Sequence, residues 1–378
     1  MAQQHDEQFM RQALALAAEG VGFTAPNPMV GTIIVKNGCI IGSGFHERYG
    51  GPHAEVNAVN SATMSIIGAT VYVTLEPCVH FGKTPPCADL LIAQKPARVV
   101  IGCLDPNPLV SGKGVQRLKE AGIAVTVGVL QRECYHLNRI FCHYMRTKHP
   151  YITMKTAMSL DGKIATHTRE SRWISGEKSR ADAHALRHMH TGIMVGVNTV
   201  LQDDPQLTCR MPGGKNPVRI VVDSRLRTPL TAKILQDQAQ NRTILVTTKA
   251  EEKTAAVYQT AGATVLPCVE TDGRVDLNDM IQQLGNMGID SILLEGGATL
   301  NEAAVRAGIV QEVVTYLAPK LIGGADAPTP LGGLGIAHLS DACLLEGMQA
   351  EPLGEDLKIT AYVKQRNEGG GMACLPGL

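Results

Sequence analysis

Pro52-His53-Ala54-Glu55 is the stretch that decides the fold of the first half of this chain. It follows two glycines and opens a predicted helix. Two Pro-Cys steps come after it: Cys78 follows a predicted strand, and Cys87 precedes the next predicted helix. Three ligands of His and Cys type leave one position around a zinc ion open to water, which is typical of a catalytic site. The sequence therefore predicts that His53, Cys78 and Cys87 hold zinc.

Glu55 lies two residues after His53, close to the predicted metal but free to carry protons. Hydrolytic removal of an amino group from a ring carbon needs a base for the attacking water and an acid for the departing ammonia, and one carboxylate can perform both roles. Nucleobase deaminases share the signature H-x-E followed by P-C-x-x-C. Here eight residues separate the two cysteines, and the longer spacer brings in His80 and Lys83, which are able to meet a phosphate.

Neither a single histidine nor a single cysteine would support this interpretation, because free cysteines are often simply buried. The joint occurrence of His-Ala-Glu at a helix start and two Pro-Cys steps beside a strand and a helix is much harder to obtain by chance. The remaining cysteines, such as Cys39, Cys103 and Cys209, are interpreted as core or loop residues.

The composition narrows the class of protein. A chain of 378 residues exceeds what one hydrophobic core usually serves, so we expect about two domains. Lysine plus arginine equals aspartate plus glutamate at 35 each, so we expect no basic surface for nucleic acid. The N-terminus shows no signal-peptide pattern, and no apolar run approaches the roughly 18 residues of a membrane span. These features predict a cytoplasmic protein that binds neither nucleic acid nor membranes.

Strand and helix patterns alternate along the chain. Asn37-Gly38 joins two apolar runs and predicts a β-hairpin, and strands separated by helices predict a sheet layered with helices. The predicted strands of the first half are 31–35, 40–44, 70–75, 97–102 and 125–127, and its helices are 10–18, 53–59, 88–93 and 114–121. In the second half the strands are 151–156, 192–197, 219–223, 243–247, 263–266, 291–295 and 312–317, and the helices are 179–190, 278–286 and 300–307.

A polar run rich in arginine and histidine, 138–149, predicts a domain boundary near residue 148. We expect a first domain at 1–147, a second at 148–366, and a disordered tail at 367–378 that has no packing pattern. No G-x-G-x-x-G follows a strand, which disfavours a Rossmann dinucleotide domain. A strand that ends in Glu295-Gly296-Gly297 before a helix could bring backbone amides to a phosphate, although a diglycine alone is a weak signal.

These stretches together resemble the bacterial bifunctional riboflavin-biosynthesis deaminase–reductases, the RibD type, over nearly the whole chain. The His-Ala-Glu and Pro-Cys steps are shared by a whole deaminase superfamily, whereas the spacer ending in Gly82-Lys-Thr-Pro-Pro-Cys87 is specific to this type. The other matching stretches are Pro26-Asn-Pro-Met-Val-Gly31, Thr74-Leu-Glu-Pro-Cys78, Asp105-Pro-Asn-Pro108, Ser159-Leu-Asp-Gly-Lys-Ile-Ala165, Thr199-Val-Leu-Gln-Asp-Asp-Pro-Gln-Leu207 and Glu295-Gly-Gly-Ala-Thr-Leu300.

The resemblance implies a cytidine-deaminase-like α/β/α layered domain followed by a dihydrofolate-reductase-like α/β domain. It implies that 2,5-diamino-6-ribosylamino-4(3H)-pyrimidinone 5′-phosphate is deaminated to 5-amino-6-(5-phosphoribosylamino)uracil, and that NADPH then reduces the ribosyl group to ribityl. The implied cofactors are one zinc ion per chain and NADPH. The implied partners are a small phosphorylated pyrimidine substrate and further copies of the chain, in a dimer or tetramer.

The resemblance also assigns residues, motif by motif. In the deaminase, the implied substrate contacts are Asn27, His46, His80 and Lys83. In the reductase, Lys155 and Asp203 are the implied catalytic groups around the sugar and nicotinamide. The implied substrate contacts there are Ser171, Arg187, Leu207, Arg210 and Glu295. The implied NADPH site is formed by Ala157, Trp173, Thr199, Asp203, Ser224, Gly297, Ala298, Thr299, Leu300, Asn301, Glu302 and Ala303.

Arg169 and Gln311 depart from the family pattern. Arg169 stands where the family often has glycine, so the family pattern does not determine the conformation of this loop, and Gln311 replaces a frequent aspartate and is expected at the surface.

Three alternative functions are disfavoured. A deaminase whose second half has lost reduction is disfavoured because Lys155 and Asp203 are present. A nucleoside or nucleic-acid deaminase with a non-catalytic second domain would show basic and aromatic clustering. A zinc-stabilised nucleotide-binding module would need a fourth protein ligand; the sequence offers neither feature.

Overall fold

The computed structural model describes residues 2–79, 85–107, 110–248 and 251–364, and it divides the chain into two compact units between Thr147 and Lys148. Three predictions therefore fall outside the described residues: His80, Lys83 and the tail 367–378. Within the described ranges, none of the helices combines the length and the apolar character that a membrane crossing requires.

The first unit is built around a five-stranded sheet. Its elements are α1 (Ala2–Ala18), β1 (Gly31–Lys36), β2 (Cys39–Phe45), α2 (Ala54–Asn60), β3 (Thr70–Leu75), α3 (Cys87–Gln94), β4 (Arg98–Cys103), α4 (Lys113–Glu120), β5 (Ala124–Val127), α5 (Gln131–Leu137) and α6 (Arg139–Thr147). The strand order is β2-β1-β3-β4-β5; β1 is antiparallel to β2 and β3, and the other pairs are parallel. The predicted hairpin is confirmed, and both residues of its turn, Asn37 and Gly38, have positive φ angles of 53° and 78°.

Helices cover both faces of this sheet. A side chain at Gly31 would strike the Ala13 carbonyl of α1, whereas one at Gly44 would lie 2.5 Å from the Ala58 amide nitrogen of α2. Gly44 pairs with Thr32 across the hairpin and so faces the same way as Thr32, while the neighbouring Gly31 faces the other way. It follows that α1 and α2 lie on opposite faces, and that close helix packing requires glycine at both strand positions.

The second unit contains a larger, mostly parallel sheet. Its elements are β6 (Tyr151–Ser159), α7 (Glu177–Met189), β7 (Gly192–Gly196), α8 (Val197–Asp203), β8 (Val218–Val222), β9 (Thr243–Thr247), α9 (Glu252–Thr260), β10 (Thr264–Pro267), β11 (Glu270–Thr271), β12 (Arg274–Val275), α10 (Leu277–Asn286), β13 (Ser291–Leu294), α11 (Ala298–Arg306), β14 (Glu312–Ala318), β15 (Leu345–Leu353) and β16 (Asp356–Val363), with short 3-10 turns at Lys233–Leu235 and Leu339–Asp341. The sheet order is β10-β9-β8-β7-β13-β6-β14-β16-β15, and β11 pairs separately with β12.

Most strands of this sheet are parallel, which places their carboxyl ends at one edge. From β10 to β14 in sheet order every pair is parallel, and the two remaining pairs, β14 with β16 and β16 with β15, are antiparallel. Fully buried aliphatic side chains such as Ile152, Met194 and Ile292 fill the core between the sheet and its helices. Ligands of open parallel sheets bind beyond the carboxyl ends of the strands, so the residues that follow β6, β7, β8 and β13 are brought together at one edge.

Gln311, which is expected at the surface, is partly exposed and also has a structural contact. Its Oε1 accepts a hydrogen bond of 2.7 Å from the backbone amide of Ile152 in β6. A glutamine that joins β6 to the start of β14 in this way stabilises the pairing of two central strands.

Candidate active sites

His53, Cys78 and Cys87 come together in the first unit. Their possible ligand atoms all lie within 4.8 Å of one another, the one such histidine and cysteine cluster found among the described residues. His53 Nδ1 lies 3.2 Å from Cys87 Sγ and 3.6 Å from Cys78 Sγ. His53 immediately precedes α2 and Cys87 is the first residue of α3, so two helix N-termini, where the backbone dipole favours negative charge, face the cluster.

The electrostatics of the cluster suit a cation. The hydrogen bond from the Cys87 thiol outweighs burial and lowers the pKa of Cys78 to about 4. The pKa of Cys87 is raised, first by this same hydrogen bond and then by burial, because the two sulfurs share one proton. The hydrogen bond to Cys78 also raises the pKa of His53. One imidazole and two thiols form a donor set that zinc accepts, and a bound cation would favour release of the shared proton.

Glu55 lies beside this cluster in the first turn of α2, with only 4% of its surface exposed. Burial is the largest cause that raises its pKa to about 7, and the negative charge of Cys78 adds to it. A carboxyl group with such a pKa can both accept and release a proton near neutrality.

Asn27 and His46, two predicted substrate contacts, lie next to each other. His46 Nδ1 is 2.9 Å from the Pro52 carbonyl, which can only accept, so Nδ1 carries the proton. The other ring nitrogen then accepts from Asn27 Nδ2 at 3.3 Å. Burial lowers the pKa of His46, which keeps the ring neutral, and its centroid is 5.5 Å from that of His53.

Glu76 is a residue near the cluster to which the sequence assigned no role. Its buried carboxylate lies two positions before Cys78 and accepts four backbone N–H hydrogen bonds. The donors are Asp105 (3.2 Å) and Gly112 (2.9 Å) at Oε2, and Gly114 (2.8 Å) and Val115 (3.1 Å) at Oε1. The available signal was a glutamate placed between a buried strand and a Pro-Cys step. Glu76 thus ties the segment that leads into α4 to the chain that carries Cys78.

The second unit holds a cavity of about 850 Å³ at the carboxyl ends of its parallel strands. This volume is in the range of small-molecule and cofactor sites. All of the predicted reductase residues except Glu302 line it: Lys155, Ala157, Ser171, Trp173, Arg187, Thr199, Asp203, Leu207, Arg210, Ser224, Glu295, Gly297, Ala298, Thr299, Leu300, Asn301 and Ala303.

Glu302 is the exception. Its Oε1 lies 3.4 Å from Nε of Arg306, one turn further along α11. The helix faces that carry Asn301 and Ala303 line the cavity, whereas the Glu302 side chain does not. The family motif assigns the entire run 297–303 to the cofactor, because a motif does not show which side chains of a helix face the cavity.

Charged side chains form a paired cluster in the cavity wall. Glu295, directly after β13, accepts two hydrogen bonds from Arg187, Nε to Oε1 at 2.7 Å and NH2 to Oε2 at 3.0 Å. Lys155 Nζ lies 3.5 Å from Glu295 Oε2. Burial alone would raise the pKa of Glu295, but the two cations outweigh burial and hold it at about 2. Ion pairs therefore connect two implied substrate contacts, Arg187 and Glu295, with the implied catalytic residue Lys155.

The loop that carries Arg169 and Trp173 forms another part of the wall. Arg169 has φ of 73°, a left-handed conformation that glycine adopts at little cost, so the chain keeps the backbone that a glycine would favour and adds a cation at the cavity. The Arg180 guanidinium lies 4.8 Å from the centroid of the Trp173 ring. Asp203 is exposed at the end of α8, on the same cavity.

The cavity residues that were not predicted include His184, Arg225, Arg227 and Arg274. Arg225 and Arg227 follow β8 and Arg274 begins β12, so the end of the parallel sheet was the available signal. His184 lies one turn before Arg187 on α7, and this helical spacing was its signal.

Comparison with known proteins finds a family model for each of the two units. Residues 150–359 match the family model described as the RibD C-terminal domain, and residues 3–103 match that of the cytidine and deoxycytidylate deaminase zinc-binding region. A chain that carries a zinc-binding deaminase domain and a reductase domain is a bifunctional deaminase–reductase. The predicted fold, a cytidine-deaminase-like α/β/α domain followed by a dihydrofolate-reductase-like α/β domain, is confirmed.

Full-length relatives identify the family. Riboflavin biosynthesis protein RibD of Actinobacillus pleuropneumoniae is 51% identical over 358 residues, 95% of this chain and 95% of that protein. RibD of Bacillus amyloliquefaciens is 44% identical over 96% of this chain and 98% of its own length. The structure of Acinetobacter baumannii RibD matches with a TM-score of 0.87 and 36% identity, over 96% of this chain and 100% of that chain. The chain belongs to the RibD family of riboflavin biosynthesis, whose members join the two activities in one polypeptide.

Proposed function

We propose that the first unit deaminates 2,5-diamino-6-ribosylamino-4(3H)-pyrimidinone 5′-phosphate, and that the second reduces the ribosyl group of the resulting aminouracil to ribityl with NADPH. The observation that carries this proposal is that the first unit brings Glu55 next to the cluster of His53, Cys78 and Cys87, while the second lines one cavity with Lys155, Asp203 and the other predicted reductase residues except Glu302. A Thermotoga maritima protein with a TM-score of 0.87 and 35% identity, covering 96% of this chain and 100% of its own, is described as a diaminohydroxyphosphoribosylaminopyrimidine deaminase and 5-amino-6-(5-phosphoribosylamino)uracil reductase.

In the deaminase, His53, Cys78 and Cys87 would hold one zinc ion per chain. Zinc in such a site supplies a Lewis acid that lowers the pKa of water toward about 7. Glu55 would take the proton from the attacking water and pass it to the departing ammonia, and its pKa of about 7 supports both transfers. His46, neutral and fixed by Asn27 and Pro52, would offer the pyrimidine a hydrogen-bonding edge of defined tautomer.

In the reductase, the main task is to align the sugar with the nicotinamide, which supplies hydride. We infer that the bond between the first sugar carbon and the ring oxygen breaks as the ribosylamine opens to an imine, with the amine proton passing to that oxygen. The imine then accepts hydride at the first carbon and a proton from solvent at nitrogen. Lys155 forms an ion pair with Glu295 and would present its amino group to the sugar, while Asp203 lies at another part of the same cavity. Deuterium from labelled NADPH should appear at that carbon, and its appearance elsewhere would exclude the imine route.

Three arginines in the cavity support a preference for NADPH over NADH. Arg225, Arg227 and Arg274 line the cavity near Ser224, and an arginine in such a position typically binds the 2′-phosphate that distinguishes NADPH from NADH. Buried hydrogen bonds hold the turn that carries two of them, because Asp223 Oδ2 accepts from both the amide and the hydroxyl of Thr228. The double variant Arg225→Ala/Arg227→Ala should raise KM for NADPH and leave KM for NADH unchanged; equal effects would contradict this assignment.

We also propose that the chain works in the cytoplasm as a homo-oligomer. The support is the edge strand β15, where Leu345 and Met348, together with Leu344 just before the strand, are 47%, 72% and 60% exposed. Apolar side chains gathered on a surface mark interaction sites. Sedimentation equilibrium should give a mass of two or four chains, and a monomer at micromolar concentration would reject this part.

A paired assay tests the main proposal. Glu55→Gln should abolish ammonia release from the diaminopyrimidinone phosphate, while zinc content and NADPH oxidation with the deaminated intermediate stay as in the wild type. Loss of reduction in this variant would contradict the assignment of the two reactions to separate units.

A further inference from the structure

His184 faces the cavity of the second unit from α7 and contacts Arg210 twice. The Arg210 backbone nitrogen lies 3.3 Å from His184 Nδ1, and Arg210 Nε lies 3.2 Å from His184 Nε2. Both Arg210 groups are donors. A neutral imidazole has one acceptor nitrogen and accepts from one of them at a time, whereas an imidazolium has none.

Several charged groups surround this ring. Burial, which is the largest cause, and the positive charges of Arg187, Arg210 and Lys155 together lower the pKa of His184 to about 4, although Glu295 acts in the opposite direction. The ring is therefore neutral at physiological pH and can remain next to a guanidinium without repelling it.

Arg187 and Arg210, the two arginines near His184, differ in how many of their guanidinium nitrogens already make hydrogen bonds. Arg187 uses Nε and NH2 on Glu295 and NH1 on the Thr208 carbonyl at 2.9 Å. Arg210 is exposed, and among the described residues no hydrogen bond or ion pair occupies its two terminal amino groups. Arginine binds phosphate most strongly when both terminal groups point at the anion.

We propose that His184 is a positioning residue of the reductase, which orients the Arg210 guanidinium so that its two free amino groups receive the phosphate of the substrate. This inference rests on the proposed reduction of a phosphorylated ribosyl compound. It assigns the division of labour between the two arginines: Arg187 holds Glu295, and Arg210, steadied by His184, holds the phosphate.

Steady-state kinetics of the full-length chain tests the proposal, with the deaminated phosphorylated intermediate and its dephosphorylated counterpart as substrates. His184→Ala should raise KM for the phosphorylated substrate about tenfold, the loss expected for one hydrogen bond to a charged group. It should leave kcat nearly unchanged and should not alter KM for the dephosphorylated substrate. His184→Gln, which keeps a neutral acceptor, should restore most of the affinity.

Two further variants make the outcome decisive. Arg210→Ala should raise KM for the phosphorylated substrate at least as much, and adding His184→Ala to it should have no further effect, because the two residues act as one unit. His188→Ala is the matched control, since His188 lies one turn further along α7, accepts from the Lys215 amide at 2.9 Å and does not line the cavity. It should leave both KM values unchanged.

The possible failures are distinguishable. If Arg210→Ala raises KM and His184→Ala does not, the positioning role is wrong and the proposed function stands. If His184→Ala affects both substrates equally, its role is a general one in folding and the inference is also wrong. If the wild-type chain does not oxidise NADPH with the deaminated intermediate, the proposed function itself fails.

Discussion

Replacement of Glu76 by glutamine tests how much one buried carboxylate stabilises the first unit. The carboxylate accepts two backbone N–H groups at each oxygen. Glutamine keeps the size and one acceptor oxygen, but its NH2 group would face two backbone donors. Two charge-assisted hydrogen bonds are lost, and each is worth about 1.5–3 kcal/mol, so Glu76→Gln should lower the free energy of unfolding of the first unit by about 3–6 kcal/mol.

The single tryptophan makes the assay selective. Trp173 is the one tryptophan of the chain and lies in the second unit, so its fluorescence follows that unit during urea unfolding, whereas circular dichroism follows both. Glu76→Gln should move the dichroism transition of the first unit to lower urea and leave the Trp173 transition in place. Glu120→Gln is the control, an exposed carboxylate on α4 with one hydrogen bond, from Gln116; if both variants unfold at the same urea concentration, the reasoning about Glu76 is refuted.

Three further predictions concern the two sites. Lys155→Ala should reduce NADPH oxidation with the deaminated intermediate by about 100-fold or more and leave ammonia release unchanged; a parallel loss of both activities would argue against the assignment. Dialysis against a chelator should remove about one zinc per chain by elemental analysis and end ammonia release, with NADPH oxidation retained; a preparation that deaminates without metal would exclude the zinc site. The pKa of Glu295 is about 2 in the folded chain against an ordinary value of 4.5, so its ionised form stabilises the fold above pH 4.5, and this stabilisation is lost as pH falls toward 2. Between these values the free energy of unfolding of the wild type should change more steeply with pH than that of Glu295→Gln, by up to about 1.4 kcal/mol per pH unit, and equal slopes would contradict the shift.

Local patterns in the sequence were sufficient for several features. Asn37-Gly38 predicts the hairpin because a tight turn needs two residues that tolerate positive φ, and the structure has both. The residues of the metal cluster were found because a histidine before a helix and cysteines beside a strand and a helix are short-range signals. These features depend on a few neighbouring residues, and the sequence displays them directly.

Other features arise only when distant segments meet. Glu295 and Arg187 are 108 positions apart, and nothing near either residue predicts that each is the partner of the other. The polar run 138–149 contains the predicted boundary near residue 148, but its polar character did not show that most of it forms the helix α6, whose Cys142 and His143 are buried. The hairpin of β15 and β16 was not predicted, because β15 is an exposed edge strand whose side chains lack the alternation of a half-buried strand.

The separation of the hydrophobic cores has a genetic consequence. Among the described residues, each cluster of buried side chains draws its members from one side of Thr147. A substitution that empties one core removes packing from that half alone, so a damaged gene copy can still encode the opposite activity. Two copies damaged in different halves should therefore complement each other in one cell, whereas two copies damaged in the same half should not.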